Sequence, residues 1–161
     1  MELRDYLMPG EYVITVVENL DISPGGFDGL AITNKRLMVF STKSGLKLFR
    51  KDSQGNIKNL KSVFFENTSM IRMIIREGVL GNPKSISLIE CIKLKHEDGS
   101  WKYSEHELMG VIKSKLSGPQ ISEVKEIIEN ALLSLASNGV PYWSEKEKAW
   151  IIDFVFENST E

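Results

Sequence analysis

The 161-residue sequence has one cysteine, Cys91, two histidines and no long apolar run. A lone cysteine cannot form an internal disulfide, which favours a reducing compartment. The longest apolar stretch, at 149–156, is too short to span a bilayer and contains Asp153. The first residues include acidic side chains and no apolar segment typical of a signal peptide. We therefore expect a cytoplasmic protein.

The sequence also lacks a recognisable catalytic or metal-binding set. His106 and Glu107 begin like the metalloprotease motif H-E-x-x-H, but position 110 is glycine and the second metal ligand is missing. The glycines at 25–29 have neither the lysine nor the strand–loop–helix context of a phosphate-binding loop. Cys91 is interpreted as a small apolar residue within a strand. We predict no catalytic residues, no metal, no cofactor and no enzymatic activity.

Charge of one sign does not dominate the chain, since the net charge is −2. Its distribution is uneven, because residues 34–61 contain eight basic side chains and a single acid, Asp52, whereas acids outnumber lysines after residue 104. Lys47, Phe49 and Lys51 would alternate onto one face of a strand, which suits an anionic membrane surface or a phosphorylated partner. A solvated hairpin face with a half-buried Phe49 is the alternative.

The predicted anion- or lipid-binding residues are the basic side chains of this segment and its phenylalanine: Lys35, Arg36, Lys43, Lys47, Phe49, Arg50, Lys51, Lys58 and Lys61. If they bind lipid, the protein is peripheral at the membrane.

Short runs of β-branched and aromatic residues bounded by turn residues predict antiparallel strands from Glu11 to Ser104. Asn34-Lys35 and Asp98-Gly99 are the expected hairpin turns. The segment 68–80 fits a helix or a strand, because its apolar residues satisfy both periods. The expected strands are 11–18, 29–33, 36–41, 46–51, 62–66 and 85–96, with further turns at Gly45 and at 52–56.

In the last third of the sequence, the spacing of the apolar residues changes from that of a strand to that of a helix. Ser104 and Glu107 form a capping box, and Leu108, Ile112 and Leu116 share one helical face, which predicts a helix there. A second helix is expected over 120–137. The run 149–157 fits a helix or a strand, and we favour a strand paired with 140–143.

One local pattern resembles a known family. The run LMPGEYVI followed by GLAITNKRLMVFS is similar to the pleckstrin-homology-like superfamily, in particular its prokaryotic, GRAM and GLUE-type members. The matching residues are Pro9, Gly10, Glu11, Gly29, Thr33, Arg36 and Leu37. The resemblance implies a seven-stranded bent β-sandwich closed by a helix, and binding of phosphoinositides in some relatives.

The expected fold class is therefore α+β, mainly β: an antiparallel bent sandwich or partial barrel followed by two helices and a C-terminal hairpin or helix. We predict a β domain at 1–103 and an appendage at 104–161, which is either separate or integral to the same domain. The helix–turn–helix–hairpin order of the appendage resembles part of a winged-helix module. Its second helix carries Glu123, Glu126 and Glu129 against Lys125 alone, so no nucleic-acid partner is predicted.

The C-terminal aromatic residues are the densest such cluster in the sequence: Tyr142, Trp143, Trp150, Phe154 and Phe156. They form either part of the core or an interface with a protein partner or a second copy, since large aromatics anchor interfaces. The sequence predicts a non-enzymatic interaction module for an anionic lipid headgroup or a peptide or protein partner. An oligomeric scaffold and a winged-helix regulator are the alternatives.

Overall fold

A computed structural model describes residues 3–42 and 57–156, and this part of the chain forms two antiparallel β-sheets and one α-helix. The mainly β class is confirmed. In chain order the elements are β1 (Val13–Val17), β2 (Leu20–Ser23), β3 (Gly29–Thr33), β4 (Arg36–Thr42), β5 (Ile57–Phe64), β6 (Met70–Glu77), β7 (Pro83–Lys95), β8 (Trp101–Ser114), α1 (Ile121–Leu133), β9 (Asn138–Ser144) and β10 (Ala149–Val155).

The first sheet has the strand order β1-β3-β4-β5, and the second has the order β2-β8-β7-β6-β10-β9. The two sheets are separate and do not close into a barrel within the described ranges. The predicted turn at Gly45, the strand at 46–51 and the turn at 52–56 lie outside these ranges. The hairpins at Asn34-Lys35 and Asp98-Gly99 are confirmed, since β3 pairs with β4 and β7 with β8.

The main core lies between the sheets and α1. Alternate residues of each strand enter it, as the pleat requires: Leu37 and Val39 come from β4, and Ile71 and Met73 from β6. The helix contributes Ile121, Val124, Ile128 and Leu132, whose spacing places them on one side of a 3.6-residue period. The predicted second helix is therefore confirmed, with its end at Leu133.

Strand β4 is buried along its whole length. Its other face carries Met38 and Phe40, which pack with Leu3, Tyr6 and Leu7 of the N-terminal segment. Because that segment covers the outer face of the first sheet, both faces of β4 are shielded from water.

The helix predicted over 104–116 is wrong, because residues 101–114 form the long strand β8 between β2 and β7. Leu108 and Ile112 are four residues apart, and this spacing places two side chains on one face of a helix and also on one face of a regular strand. A register shift near Gly110 then buries Met109 and leaves Leu108 partly exposed. With this helix lost, the winged-helix resemblance of the appendage has no basis.

The two ambiguous segments are both strands. Residues 68–80 contain β6, and residues 149–157 contain β10, which pairs with β6 on one side and with β9 on the other. The preferred interpretation of the C-terminal hairpin is confirmed. Residues on both sides of position 104 share the second sheet and the main core.

Candidate functional site

Three of the residues that carry the family resemblance, Glu11, Thr33 and Arg36, form a buried polar network. The Glu11 carboxylate accepts hydrogen bonds from the Thr33 hydroxyl at 2.6 Å and from Arg36 Nε at 2.9 Å, and its second oxygen accepts one from the Met8 amide at 2.9 Å. The Glu11 side chain is fully buried and that of Arg36 nearly so. This network fastens the N-terminal segment to the β3–β4 hairpin.

The remaining donors of Arg36 also have partners inside the protein. One terminal nitrogen donates to the Tyr6 carbonyl at 2.6 Å, and the other donates to the Ser62 hydroxyl at 3.2 Å. The guanidinium lies 5.0 Å from the ring centre of Phe64. The sequence predicts Arg36 in the anion site, but its buried position and its partners inside the protein indicate a structural role.

The network affects the protonation of Glu11. Burial alone would raise the pKa of Glu11, but the hydrogen bonds from Thr33, Met8 and Arg36 outweigh burial and hold it below its ordinary value of 4.5. Because the folded pKa is the lower one, this carboxylate stabilises the fold above pH 4.5, and that contribution is lost as the pH falls through the folded pKa.

We therefore expect the wild-type protein to lose more stability between pH 7 and pH 3 than a Glu11→Gln variant does. The variant has no charge to lose at this position, so the difference between the two isolates Glu11 from the other carboxylates. Urea unfolding at several pH values measures this. An identical pH dependence in both proteins would contradict the expectation.

Two further cations of the basic segment, Lys61 and Lys35, have described side chains. Lys61 lies in β5 and forms an ion pair with Glu107 of β8 at 2.8 Å, and its ammonium also donates to the Leu108 carbonyl at 3.2 Å. It therefore connects the two sheets. Lys35 is partly buried at the β3–β4 turn. The side chain of Lys58 is not described, and Lys43, Lys47, Phe49, Arg50 and Lys51 lie outside the described ranges.

The five C-terminal aromatic residues separate into two groups. Phe154 is fully buried, and Phe156 stacks on Phe65 with ring centres 4.7 Å apart. Trp143 and Trp150 remain 42% and 44% exposed, and Tyr142 is also exposed. Of the two alternatives from the sequence, the core applies to Phe154 and Phe156, and the surface applies to the other three residues.

The two exposed tryptophans form a pair at the edge of the second sheet. Trp143 of β9 lies directly opposite Trp150 of β10, with ring centres 5.6 Å apart in an edge-to-face arrangement. The Trp143 indole donates to Glu145 at 3.1 Å, and Glu145 pairs with Lys148 at 2.9 Å. We call Trp143, Trp150 and their connecting turn the tryptophan hairpin.

On the opposite face of the same hairpin, Tyr142 belongs to a polar row. Its hydroxyl donates to Asp153 at 3.0 Å, and Asp153 accepts from Arg72 Nε at 2.9 Å. Arg72 also lies 3.6 Å from Glu105. Partial burial, together with the charge of Asp153 and the hydrogen bond to it, raises the pKa of Tyr142. The sequence analysis did not predict this row. The available signal was one charged residue inside each of two apolar strands, Arg72 in β6 and Asp153 in β10.

Trp101 is a further exposed aromatic residue that the sequence analysis did not single out. Strands β7 and β8 extend as a two-stranded ribbon beyond the last pairing of β6, at Cys91. On this ribbon Trp101 is exposed, and the ammonium groups of Lys93 and Lys95 lie 5.7 and 5.9 Å from its ring centre. Trp101 offers a natural control for the tryptophan hairpin.

The described residues contain no group of three or more histidine, cysteine, aspartate or glutamate side chains arranged to hold a metal ion. Cys91 is buried, and burial raises the pKa of its thiol to about 11, which keeps it protonated at neutral pH. In the ranges 3–42 and 57–156, no helix has the length and apolar character needed to cross a membrane.

Comparison of the chain with protein-family models, curated proteins and solved structures gave no match.

Proposed function

We propose that the chain is a non-enzymatic interaction module that binds a protein partner at the tryptophan hairpin. The observation that carries this proposal is the exposed Trp143–Trp150 pair on an outer hairpin of the second sheet. Tryptophan is among the residues that most often dominate binding energy at protein interfaces. Contiguous exposed apolar side chains are a common feature of protein-binding surfaces.

The pair is already held in place before any partner arrives. Each ring contacts the other, and the Trp143 indole is fixed by its hydrogen bond to Glu145. Ordering rotamer-rich side chains on binding costs about 0.5–1.5 kcal/mol each, so side chains that are already ordered favour affinity.

The partner is expected to dock against side chains and not to add a strand to the sheet. Pro141 lies in the middle of the edge strand β9. A proline has no amide hydrogen, and prolines on edge strands hinder pairing with an incoming strand. The exposed tryptophan rings beside this blocked edge can receive an apolar side chain of the partner.

Two described cations of the basic segment are already paired inside the protein, which supports a protein partner over an anionic lipid. Arg36 is buried against Glu11, and Lys61 bridges to Glu107. A lipid headgroup needs several cations that converge on one surface. The pleckstrin-homology-like relationship stays part of the proposal, supported by the Glu11–Thr33–Arg36 network that its motif residues build.

The test compares capture of proteins from an extract of the source cell by four versions of the chain: wild type, Trp143→Ala, Trp150→Ala and Trp101→Ala. We expect a partner that wild type and Trp101→Ala retain and that both hairpin variants lose. With the purified partner, each hairpin variant should weaken binding by about 30-fold or more, since truncating an anchor residue costs roughly 2 kcal/mol or more.

Trp101→Ala is the matched control, because it removes an exposed tryptophan of similar accessibility from another surface. Equal retention of every captured protein by all four versions would refute the proposal. Loss on Trp101→Ala alone would move the binding site to the β7–β8 ribbon and refute it as well.

A further inference from the structure

Three apolar side chains project from one end of the second sheet, and we call them the apolar tips. Val79 and Leu80, in the turn between β6 and β7, are 86% and 92% exposed, and Leu116, in the turn after β8, is fully exposed. No other large apolar side chain of the described residues is as exposed. The two turns lie next to each other, because Ile86 near the start of β7 pairs with Ile112 near the end of β8.

The turn that carries Leu80 has a conformation that leucine rarely adopts. The φ angle of Leu80 is 67°, in the left-handed region, which glycine and asparagine adopt more easily. The Gly78 amide closes the turn by donating to the Asn82 carbonyl at 2.8 Å. A bulky apolar side chain in a costly backbone conformation, exposed to water, contributes nothing to the core. Its presence is accounted for when it contacts something outside the chain.

The turn that carries Leu116 is also held in place. The Gly118 amide donates to the Lys115 carbonyl at 3.0 Å, and the Asn19 side chain donates to the Ser117 carbonyl at 3.0 Å. A methyl group at Gly118 would collide with the Asn19 carbonyl, so this turn packs tightly against the start of β2. The exposure of Leu116 therefore results from the packing of its turn.

The side chains just behind the apolar tips are charged. Glu77 and Lys84 are exposed at the end of β6 and the start of β7, and Lys113 and Lys115 are exposed just before Leu116. A zwitterionic bilayer has the matching order of groups, since headgroups that carry a phosphate and an ammonium lie above the acyl chains. Charges of both signs behind the apolar tips therefore complement the headgroups when the tips reach the acyl boundary.

A bilayer fits this surface better than a protein does. A stable protein interface buries about 800 Å² on each partner and contains a packed apolar core. The apolar tips are nearly surrounded by solvent and project from turns, so they form no such packed surface. Acyl chains adapt to a projecting side chain without a preformed pocket. The attachment is weak and reversible, since even a single myristoyl chain binds a membrane only marginally.

We propose that this end of the second sheet is a membrane-contact site, at which Val79, Leu80 and Leu116 insert into the interface of a zwitterionic lipid bilayer. The site is distinct from the tryptophan hairpin. Trp150 lies opposite Ile75, four residues before Val79, so the tryptophan pair is set back from the apolar tips. Either proposal can fail without the other.

The test is sedimentation of the purified protein with phosphatidylcholine vesicles at millimolar lipid. We expect the wild type to bind and to stay bound in high salt, because salt screens attraction between exposed charges and leaves the burial of apolar groups intact. Leu80→Asn and Leu116→Ser should each lower the partition coefficient about tenfold, the effect of no longer removing one leucine side chain from water.

Leu80→Asn also separates binding from folding. Asparagine tolerates the left-handed backbone, so the melting temperature of this variant should equal or exceed that of wild type while vesicle binding falls. Leu94→Ser is the matched control, because it removes an exposed leucine from the β7–β8 ribbon at the opposite end of the sheet. Leu94→Ser and Trp143→Ala should both bind vesicles as wild type does.

Three results would overturn the proposal: no sedimentation with phosphatidylcholine vesicles, an unchanged partition coefficient in Leu80→Asn and Leu116→Ser, or binding that requires phosphatidylserine and disappears in high salt. The last result would assign membrane binding to cations. Loss of a captured protein partner by Leu80→Asn, with vesicle binding unchanged, would assign the apolar tips to a protein interface and overturn the proposal as well.

Discussion

Replacing Glu11 with glutamine is expected to lower the free energy of unfolding by about 3–5 kcal/mol, because it leaves the buried Arg36 guanidinium without its counter-charge. A domain of this kind is stable by only about 5–15 kcal/mol, so the loss is a large fraction of the total. Urea denaturation at neutral pH measures it. The reason lies in the geometry, since the carboxylate accepts from both Arg36 and Thr33 in a site closed to water.

Two further variants give this prediction its controls. Glu145→Gln removes an exposed ion pair with Lys148 and should cost less than about 1 kcal/mol. Changing Glu11 and Arg36 together to methionine removes both charges and should recover part of the loss, although Thr33 and Ser62 then lose partners. A cost for Glu11→Gln as small as that for Glu145→Gln would show that the network does not hold the N-terminal segment.

Phe154→Ala should have an effect of similar size, a loss of about 3–5 kcal/mol, because it opens a cavity in the main core. The Phe154 ring is fully buried between the sheet and the end of α1, where a methyl group at Gly139 would lie 3.0 Å from the ring and 2.8 Å from Leu133. Thermal and urea unfolding measure this loss.

The matched control for Phe154→Ala is Trp143→Ala. The larger ring is removed in that variant, yet the expected loss is at most about 1 kcal/mol, because the side chain is 42% exposed. Equal destabilisation by the two substitutions would mean that the tryptophan hairpin is part of the core, and the proposed interface would lose its basis.

Sequence patterns located most strands because each apolar run ends in turn residues. They failed at 104–116 because Leu108 and Ile112 share a face in a helix and in a strand, so their spacing cannot distinguish the two. The deciding factor was tertiary: strand β7 offers a long partner, and pairing with it overrides a local capping box at Ser104. The ambiguity at 68–80 had the same origin.

The candidate site was only partly predictable. Alternation along β10 places Trp150 and Phe154 on the same face, yet one is exposed and the other is buried. The difference depends on which part of the face the end of α1 covers, and local sequence does not encode that. Similarly, the sequence alone suggests that Arg36 is a surface cation. Its partner Glu11 is 25 residues away in the chain, and only the fold places the two side chains in contact.

The central claim, that a partner docks on the tryptophan hairpin, is tested most directly by ¹⁹F NMR of the protein labelled with 5-fluorotryptophan. The chain has three tryptophans, and substituting each in turn by phenylalanine assigns the three resonances. On addition of the purified partner, the account predicts that the resonances of Trp143 and Trp150 shift or broaden, while that of Trp101 stays unchanged. A shift of the Trp101 resonance with no change at Trp143 and Trp150 would contradict it.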